Sequence, residues 1–239
     1  MLEKEQQIQE DQYELPYHWF LKPDDYYGRV YFGYMRIIAG LIKRKNTKIN
    51  ILDAGCGDGR LLCELKNEHT CLYGIDYSGK AIEYAKIMIP EAECVVGSVQ
   101  KLPYQNDFFD VVCSVEVFEH IIPTLLEDVV CEVQRVMKQG GVFIMSVPSL
   151  NTPVIDKHYQ HFNVIKLTDL LKKDFKEIEF FGQDYAGFSI LKICYKFLDN
   201  RWWCLKKLSS WFNKCVWTKH LNVCSPDLGK RIILRAIKK

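Results

Sequence analysis

The chain has no apolar run approaching the ~20 residues that a membrane-spanning helix requires. It also lacks an excess of either charge. Its 32 Lys and Arg stand against 30 Asp and Glu, and the formal net charge of +2 argues against a whole-molecule electrostatic grip on nucleic acid. Among ten cysteines no C-x-x-C pair occurs, which argues against zinc ligands and disulfides and for the buried thiols of a reduced cytosolic protein. The stretch Met1-Leu-Glu-Lys-Glu-Gln-Gln7 is acidic and polar where a secretion signal would be basic and then apolar, so the expected localisation is cytoplasmic. Internal repeats and low-complexity linkers are missing too. With 239 residues and 48% hydrophobic content, one substantial core can be buried and a single domain over 1–239 is expected.

What is present concentrates at Ile51-Leu-Asp-Ala-Gly-Cys-Gly-Asp-Gly-Arg60: a short apolar run, an acid, three glycines at alternate positions and a helix start. This reads as a first strand whose tight turn lets the backbone touch a nucleoside-bearing ligand. A dinucleotide turn would be G-x-G-x-x-G, with its helix N-terminus facing a pyrophosphate. Here the spacing is Gly55-x-Gly57-x-Gly59, and Asp53 would repel a pyrophosphate while suiting an ammonium, so an NAD-dependent oxidoreductase is disfavoured.

Leu72-Tyr-Gly-Ile-Asp76 is a second strand ending in an acid, Gly97-Ser-Val-Gln-Lys-Leu-Pro103 a loop, Phe108-Phe-Asp-Val-Val-Cys-Ser-Val115 a fourth strand, and Arg135-Val-Met-Lys-Gln-Gly-Gly-Val142 a helix-to-strand turn. In order and spacing these segments, spanning residues 48–148, resemble the class I S-adenosylmethionine (SAM)-dependent methyltransferases. The resemblance implies SAM as cofactor. It also implies an α/β fold: a seven-stranded, mostly parallel doubly wound (Rossmann-like) sheet with an antiparallel last strand pair, an N-terminal helical cap and a helical insertion before the last strand. Asp53 and the amides around Gly55, Cys56, Gly57 and Gly59 would then hold the methionine end, and Asp76 the ribose, with Tyr77 also in the cofactor-binding set. Ser98 and Val99 would meet the adenine, and Val115 completes the set. Ser98 stands where the family often has Asp, and its hydroxyl can still accept a hydrogen bond from the adenine amino group.

Periodicity supports the same layout. A helix is expected over Tyr27–Lys43, and Thr124-Leu-Leu-Glu127 reads as a capping box ahead of a core stripe of Leu126, Val129, Val130, Val133 and Met137. Glu177–Phe181 and Arg231–Ala236 read as the last two strands. The expected segments are a cap over 1–46, a cofactor core over 47–148, a substrate loop and edge strand over 149–185, an insertion over 186–227 and a last strand over 228–239.

Glu116-Val-Phe-Glu119-His120 follows the fourth strand. In a helical turn, positions i, i+3 and i+4 converge, which would bring both carboxylates and the imidazole to one locus. The E-x-x-E-H spacing is similar to that of two groups of O-methyltransferases, the ubiquinone-pathway enzymes and the enzymes that methylate the terminal 2′-hydroxyl of small RNAs. That resemblance implies Glu116, Glu119, His120 and His161 as ligands of Mg²⁺ or Mn²⁺, with Glu119, His120 and His161 as the catalytic group and His158 as the alternative to His161. Such a metal would lower the pKa of an acceptor hydroxyl. A metal-free reading with Glu119 or His120 as base, and a purely structural one, stay open.

Substrate recognition is expected from Tyr13–Phe20 and from the insertion. There Trp202, Trp203, Trp211, Phe212 and Trp217 interleave with Lys192, Lys196, Arg201, Lys206, Lys207 and Lys214. The pattern suits peripheral contact of 186–220 with the inner face of a membrane or a cover over a lipid-linked acceptor, and equally a plain helical cap; single-stranded nucleic acid fits less well. The expected activity is O-methylation of a small or lipid-linked acceptor, such as a surface-glycan sugar or a prenylated phenol. The alternatives are N-methylation of a small amine and a non-catalytic SAM-binding regulatory partner.

Overall fold

Apolar strand segments ending in turns alternate with amphipathic helices, and the computed structural model arranges them as one sheet covered on both faces. It describes residues 10–11, 13–23, 26–42, 47–186, 190–198, 205–212 and 222–239. Strands β1 (Ile49–Ala54), β2 (Thr70–Asp76), β3 (Glu93–Val96), β4 (Phe109–Val115) and β5 (Met137–Pro148) pair in parallel. Strands β6 (Phe175–Tyr185), β7 (Val223–Cys224) and β8 (Gly229–Lys238) complete the order β3-β2-β1-β4-β5-β8-β6-β7. The expected antiparallel end is present, because β8 runs antiparallel between β5 and β6. Among the described residues the count is eight where seven were expected. The additional strand, β7, has two residues and pairs Val223 with Gln183, too short a segment to leave an alternating pattern in the sequence.

Side-chain alternation divides the core. Leu52, Val112, Phe143 and Met145 face α4 (Leu126–Val136) and α5 (Val164–Leu171). Ile51, Val111, Cys113 and Ile144 face α1 (Tyr26–Leu41), α2 (Arg60–Leu65) and α3 (Gly79–Met88). The chain winds outward in both directions from β1 and β4, so their carboxyl ends open a crevice where a ligand can enter between the diverging loops.

Two local expectations need correction. Thr124 makes no capping box: Pro123 sets a 3-10 turn over Pro123–Leu125, and α4 starts one residue later with Leu125 at its N-cap and no side-chain cap. The stripe behind it is buried, but its last member, Met137, already opens β5, which takes in most of the expected helix-to-strand turn. The insertion supplies α6 (Ile190–Leu198) and α7 (Lys206–Phe212). Trp202, Trp203, Trp217, Arg201 and Lys214, and the side chains of Lys192, Lys196 and Lys206, lie outside the described residues.

Candidate active site

The turn after β1 is held against β2. The Gly55 and Cys56 amides both donate to the Ile75 carbonyl, at 2.8 and 3.0 Å. Gly55 and Gly57 adopt left-handed φ of +89° and +53°, and a side chain on either would strike Val117 or the Tyr13 hydroxyl, respectively, so glycine is required at both. Asp76, ending β2, accepts from the Gly57 amide at 2.8 Å and from the Ser78 amide at 2.9 Å. Burial raises its pKa, and these backbone donors work against that rise.

Around this turn opens a cavity of about 770 Å³, within the range of small-molecule sites. Asp53, Gly55, Cys56, Gly57, Asp76, Tyr77, Ser98, Val99 and Val115 all line it, as the sequence suggested. Gly59 does not line it. At φ +78° it opens α2, packed against Ala85 and Ile89 behind the wall. Asp53 is buried at the cavity floor, its Oδ1 has no hydrogen-bond partner, and burial followed by the charge of Asp76 pushes its pKa well up. A buried carboxylate oxygen lacking a donor is what the ammonium of a methionine moiety would satisfy. With Asp76 poised toward a ribose, the residues present fit SAM.

The roof comes from the N-terminal segment, where a 3-10 helix spans Tyr17–Phe20. Its His18 Nδ1 lies 2.9 Å from Asp58 Oδ1, and the Trp19 indole donates to the Asp58 carbonyl at 3.1 Å. Tyr13, Tyr17 and His18 thereby join Tyr31, Tyr34 and Met35 of α1 on the cavity wall. Asp58, Tyr31 and Tyr34 were not legible, since only the folded chain brings them together.

After β4 the arrangement differs from the expected helical convergence. Glu116 takes a left-handed φ of +56° at the end of β4, and a 3-10 turn begins only at Phe118. The Glu116 carboxylate turns to Arg231 Nη2 at 2.8 Å and to the Ser146 hydroxyl at 2.9 Å. Burial would raise its pKa, but Arg231 outweighs this and holds it low. The cluster that forms is Glu119, His120 and His158, whose ligand atoms lie within 4.8 Å of one another. Glu119 is buried, its Oε2 has no partner, and burial followed by the charge of Glu116 raises its pKa well above normal.

Hydrogen bonds fix both imidazoles. His120 Nδ1 meets the Lys157 carbonyl at 2.9 Å and must donate to it, which leaves Nε2 with its lone pair. His161 Nδ1 likewise donates to the Thr152 carbonyl at 2.9 Å, so His161 Nε2 accepts from His158 Nδ1 at 2.8 Å and His158 Nε2 keeps its lone pair. Burial lowers the pKa of both cavity histidines, that of His158 to about 4, and both are neutral at physiological pH. His161 therefore stands behind His158, buried and outside the cavity wall, and Glu116 stands in an ion pair; His158 takes the place expected of His161.

A family described as "Methyltransferase domain" matches residues 52–145. An uncharacterized methyltransferase from Synechocystis is 34% identical over 95 residues, covering 40% of this chain and 45% of that protein. A probable S-adenosylmethionine-dependent methyltransferase from Mycolicibacterium smegmatis is 28% identical over 137 residues, covering 54% of this chain and 52% of that protein. The chain thus spans about half the length of the curated relatives it matches. The fold is similar to that of phosphoethanolamine N-methyltransferase 2 from Haemonchus contortus in complex with S-adenosyl-L-methionine, with a TM-score of 0.66, 16% identity and coverage of 99% of this chain and 60% of that one. It is also similar to a possible histamine N-methyltransferase from Thermotoga maritima, with a TM-score of 0.61, 17% identity and coverage of 87% and 89%. Over residues 52–145 the chain is similar to class I, SAM-dependent methyltransferases.

Proposed function

We propose that the protein is a SAM-dependent O-methyltransferase acting on a hydroxyl of a small or lipid-linked acceptor, such as a surface-glycan sugar or a prenylated phenol, with a divalent metal held by Glu119, His120 and His158. The observation that carries this reading is the convergence of one unpartnered carboxylate oxygen with two imidazole lone pairs beside the cofactor cavity. Hard oxygen plus neutral nitrogen donors suit Mg²⁺ or Mn²⁺. The supporting contacts have the form of outer partners that orient metal-binding imidazoles, His161 for His158 and the Lys157 carbonyl for His120.

When bound, SAM supplies an electrophilic methyl group and the ion a Lewis acid that lowers the pKa of the acceptor hydroxyl. The chain supplies position and exclusion of water. Asp53 and Asp76 hold the methionine end and the ribose of the cofactor, the Tyr13–Phe20 segment covers the cavity, and Glu119, His120 Nε2 and His158 Nε2 would hold the ion. The test is elemental analysis of the purified protein followed by a methyl-transfer assay on sugar and phenol acceptors before and after chelation. Chelation should abolish transfer without releasing S-adenosylhomocysteine, and Mn²⁺ should restore it. Glu119→Gln should behave like chelation, because an amide is a poorer ligand of a hard cation. Full activity after exhaustive chelation would leave His120 as a direct base.

One observation favours a second reading, N-methylation of a small amine. Tyr13, Tyr17, Tyr31 and Tyr34 line the cavity together, and burial raises all four pKa values, that of Tyr17 to about 12, so four neutral phenols face the site. Aromatic faces attract a cation. Methyl transfer to amines with none to hydroxyls would establish this alternative.

A further inference from the structure

Cys56 stands in the cofactor turn and lines the cavity, and Cys94 stands on the edge strand β3. Between them lies Gly74 of β2, in register with Cys94. The absence of a side chain at Gly74 makes the room both sulfurs use: a Cβ there would lie 2.8 Å from Cys56 Sγ and 3.0 Å from Cys94 Sγ. Two buried thiols therefore meet in one gap, and neither has a part in methyl transfer as derived above. We propose that Cys56 and Cys94 are a redox pair, and that their oxidation to a disulfide by a peroxide withdraws the turn from the cofactor. This rests on the reading of the turn as the SAM site.

The chemistry assigns the order of events. The Cys56 S–H donates to the Gly57 carbonyl at 3.7 Å; the interaction between the two thiols, with burial, pushes the Cys56 thiol up and holds the Cys94 thiol below its usual range, so Cys94 is the sulfur that ionises. Its thiolate attacks the peroxide O–O bond, giving a sulfenic acid and hydroxide. The Cys56 sulfur then displaces the sulfenic oxygen as the S–S bond forms, and the two protons leave in water. The two sulfurs together lose two electrons, and one peroxide becomes two waters. A disulfide of about 2.05 Å is far shorter than a thiol contact, so closing it draws Cys56 toward β3 and pulls on its neighbours Gly55 and Gly57. The Gly57 amide that orders Asp76 moves with them. Bound cofactor, filling the cavity beside Cys56, should slow the reaction.

The full-length protein would be treated with hydrogen peroxide, its remaining thiols alkylated, and its peptides identified by mass spectrometry, while calorimetry follows S-adenosylhomocysteine binding. The expected result is a Cys56–Cys94 linked peptide and an affinity lower by about tenfold or more, which corresponds to 1.4 kcal/mol, reversed by dithiothreitol. Cys94→Ser should bind like the untreated protein and ignore peroxide. Recovery of both cysteines as free thiols while exposed Cys131 oxidises would overturn the proposal, as would a linked protein with unchanged affinity. A reduced protein that does not bind S-adenosylhomocysteine would bring down the cofactor reading and the withdrawal step with it, whereas the linked peptide decides the redox pair on its own.

Discussion

Asp53, buried, and Asp76, half-buried, stand at one cavity, yet their surroundings give them different work. Asp76 has backbone donors on both oxygens, whereas Asp53 has an oxygen with none. Asp76→Ala should therefore weaken S-adenosylhomocysteine binding by about 2 kcal/mol in calorimetry, through loss of charge-assisted bonds and of the Gly57 anchor. Asp53 carries a pH signature in the cofactor-free protein. Its folded pKa is raised, so the stability of the wild type is full below the unfolded value of about 3.9 and falls as pH rises through the folded value. Asp53→Asn removes that loss. Thermal melts should show the variant gaining on the wild type as pH rises from about 4, then a constant difference once the carboxyl is ionised. With saturating S-adenosylhomocysteine the order should reverse, since the variant lacks the partner of the ammonium. A difference that stays flat across this range would mean that Asp53 ionises normally in the folded protein.

Elements that carry their reason within a few residues were legible, and those defined by distant partners were not. The turn after β1, the acid ending β2 and the stripe of α4 as far as Val133 follow from local glycine, charge and spacing, and the structure places them as expected. The E-x-x-E-H segment shows the limit. Its spacing fits a continuous helical turn, but Glu116 adopts a left-handed conformation that breaks the turn, and its carboxylate pairs with Arg231, 115 residues away. The choice between His158 and His161 was likewise decided by the Thr152 carbonyl, which fixes the tautomer of His161. The roof segment depends on such a distant contact as well. Glu10 accepts from the Gly79 amide at 2.6 Å, the Tyr84 hydroxyl donates to the Glu14 carbonyl at 3.0 Å, and Asp58 holds His18. Asp58→Ala should cost about 1–3 kcal/mol in denaturant unfolding, since it leaves the His18 groups unsatisfied. It should also speed chymotrypsin cleavage between Tyr13 and Phe20. Unchanged cleavage would show that the contacts of Glu10 and Tyr84 hold the roof without Asp58.

At the scale of the molecule, the unusual surface is the insertion between β6 and β8. Ile190, Ile193 and Phe197 on α6, Leu205, and Leu208 and Trp211 on α7 are all exposed, the last at 57%. Several large apolar side chains brought close together on a water-facing surface suggest contact with something else. Phe212, by contrast, is buried, so the aromatics of this region divide between packing and exposure. No helix of the described residues is long and apolar enough to cross a membrane. The exposed apolar groups together with the lysines of 186–220 fit an anionic lipid surface, which would place a lipid-linked acceptor within reach of the cavity. The protein should then sediment with vesicles containing phosphatidylserine and much less with neutral ones. Raising salt from 0.1 to 1 M should release part of it, because the Debye length shrinks from about 10 to about 3 Å while the apolar contribution persists. Replacing Phe197 and Trp211 together by Ser should abolish sedimentation without changing S-adenosylhomocysteine affinity. Equal recovery in the supernatant with and without vesicles would identify α6 and α7 as a cap with no membrane role.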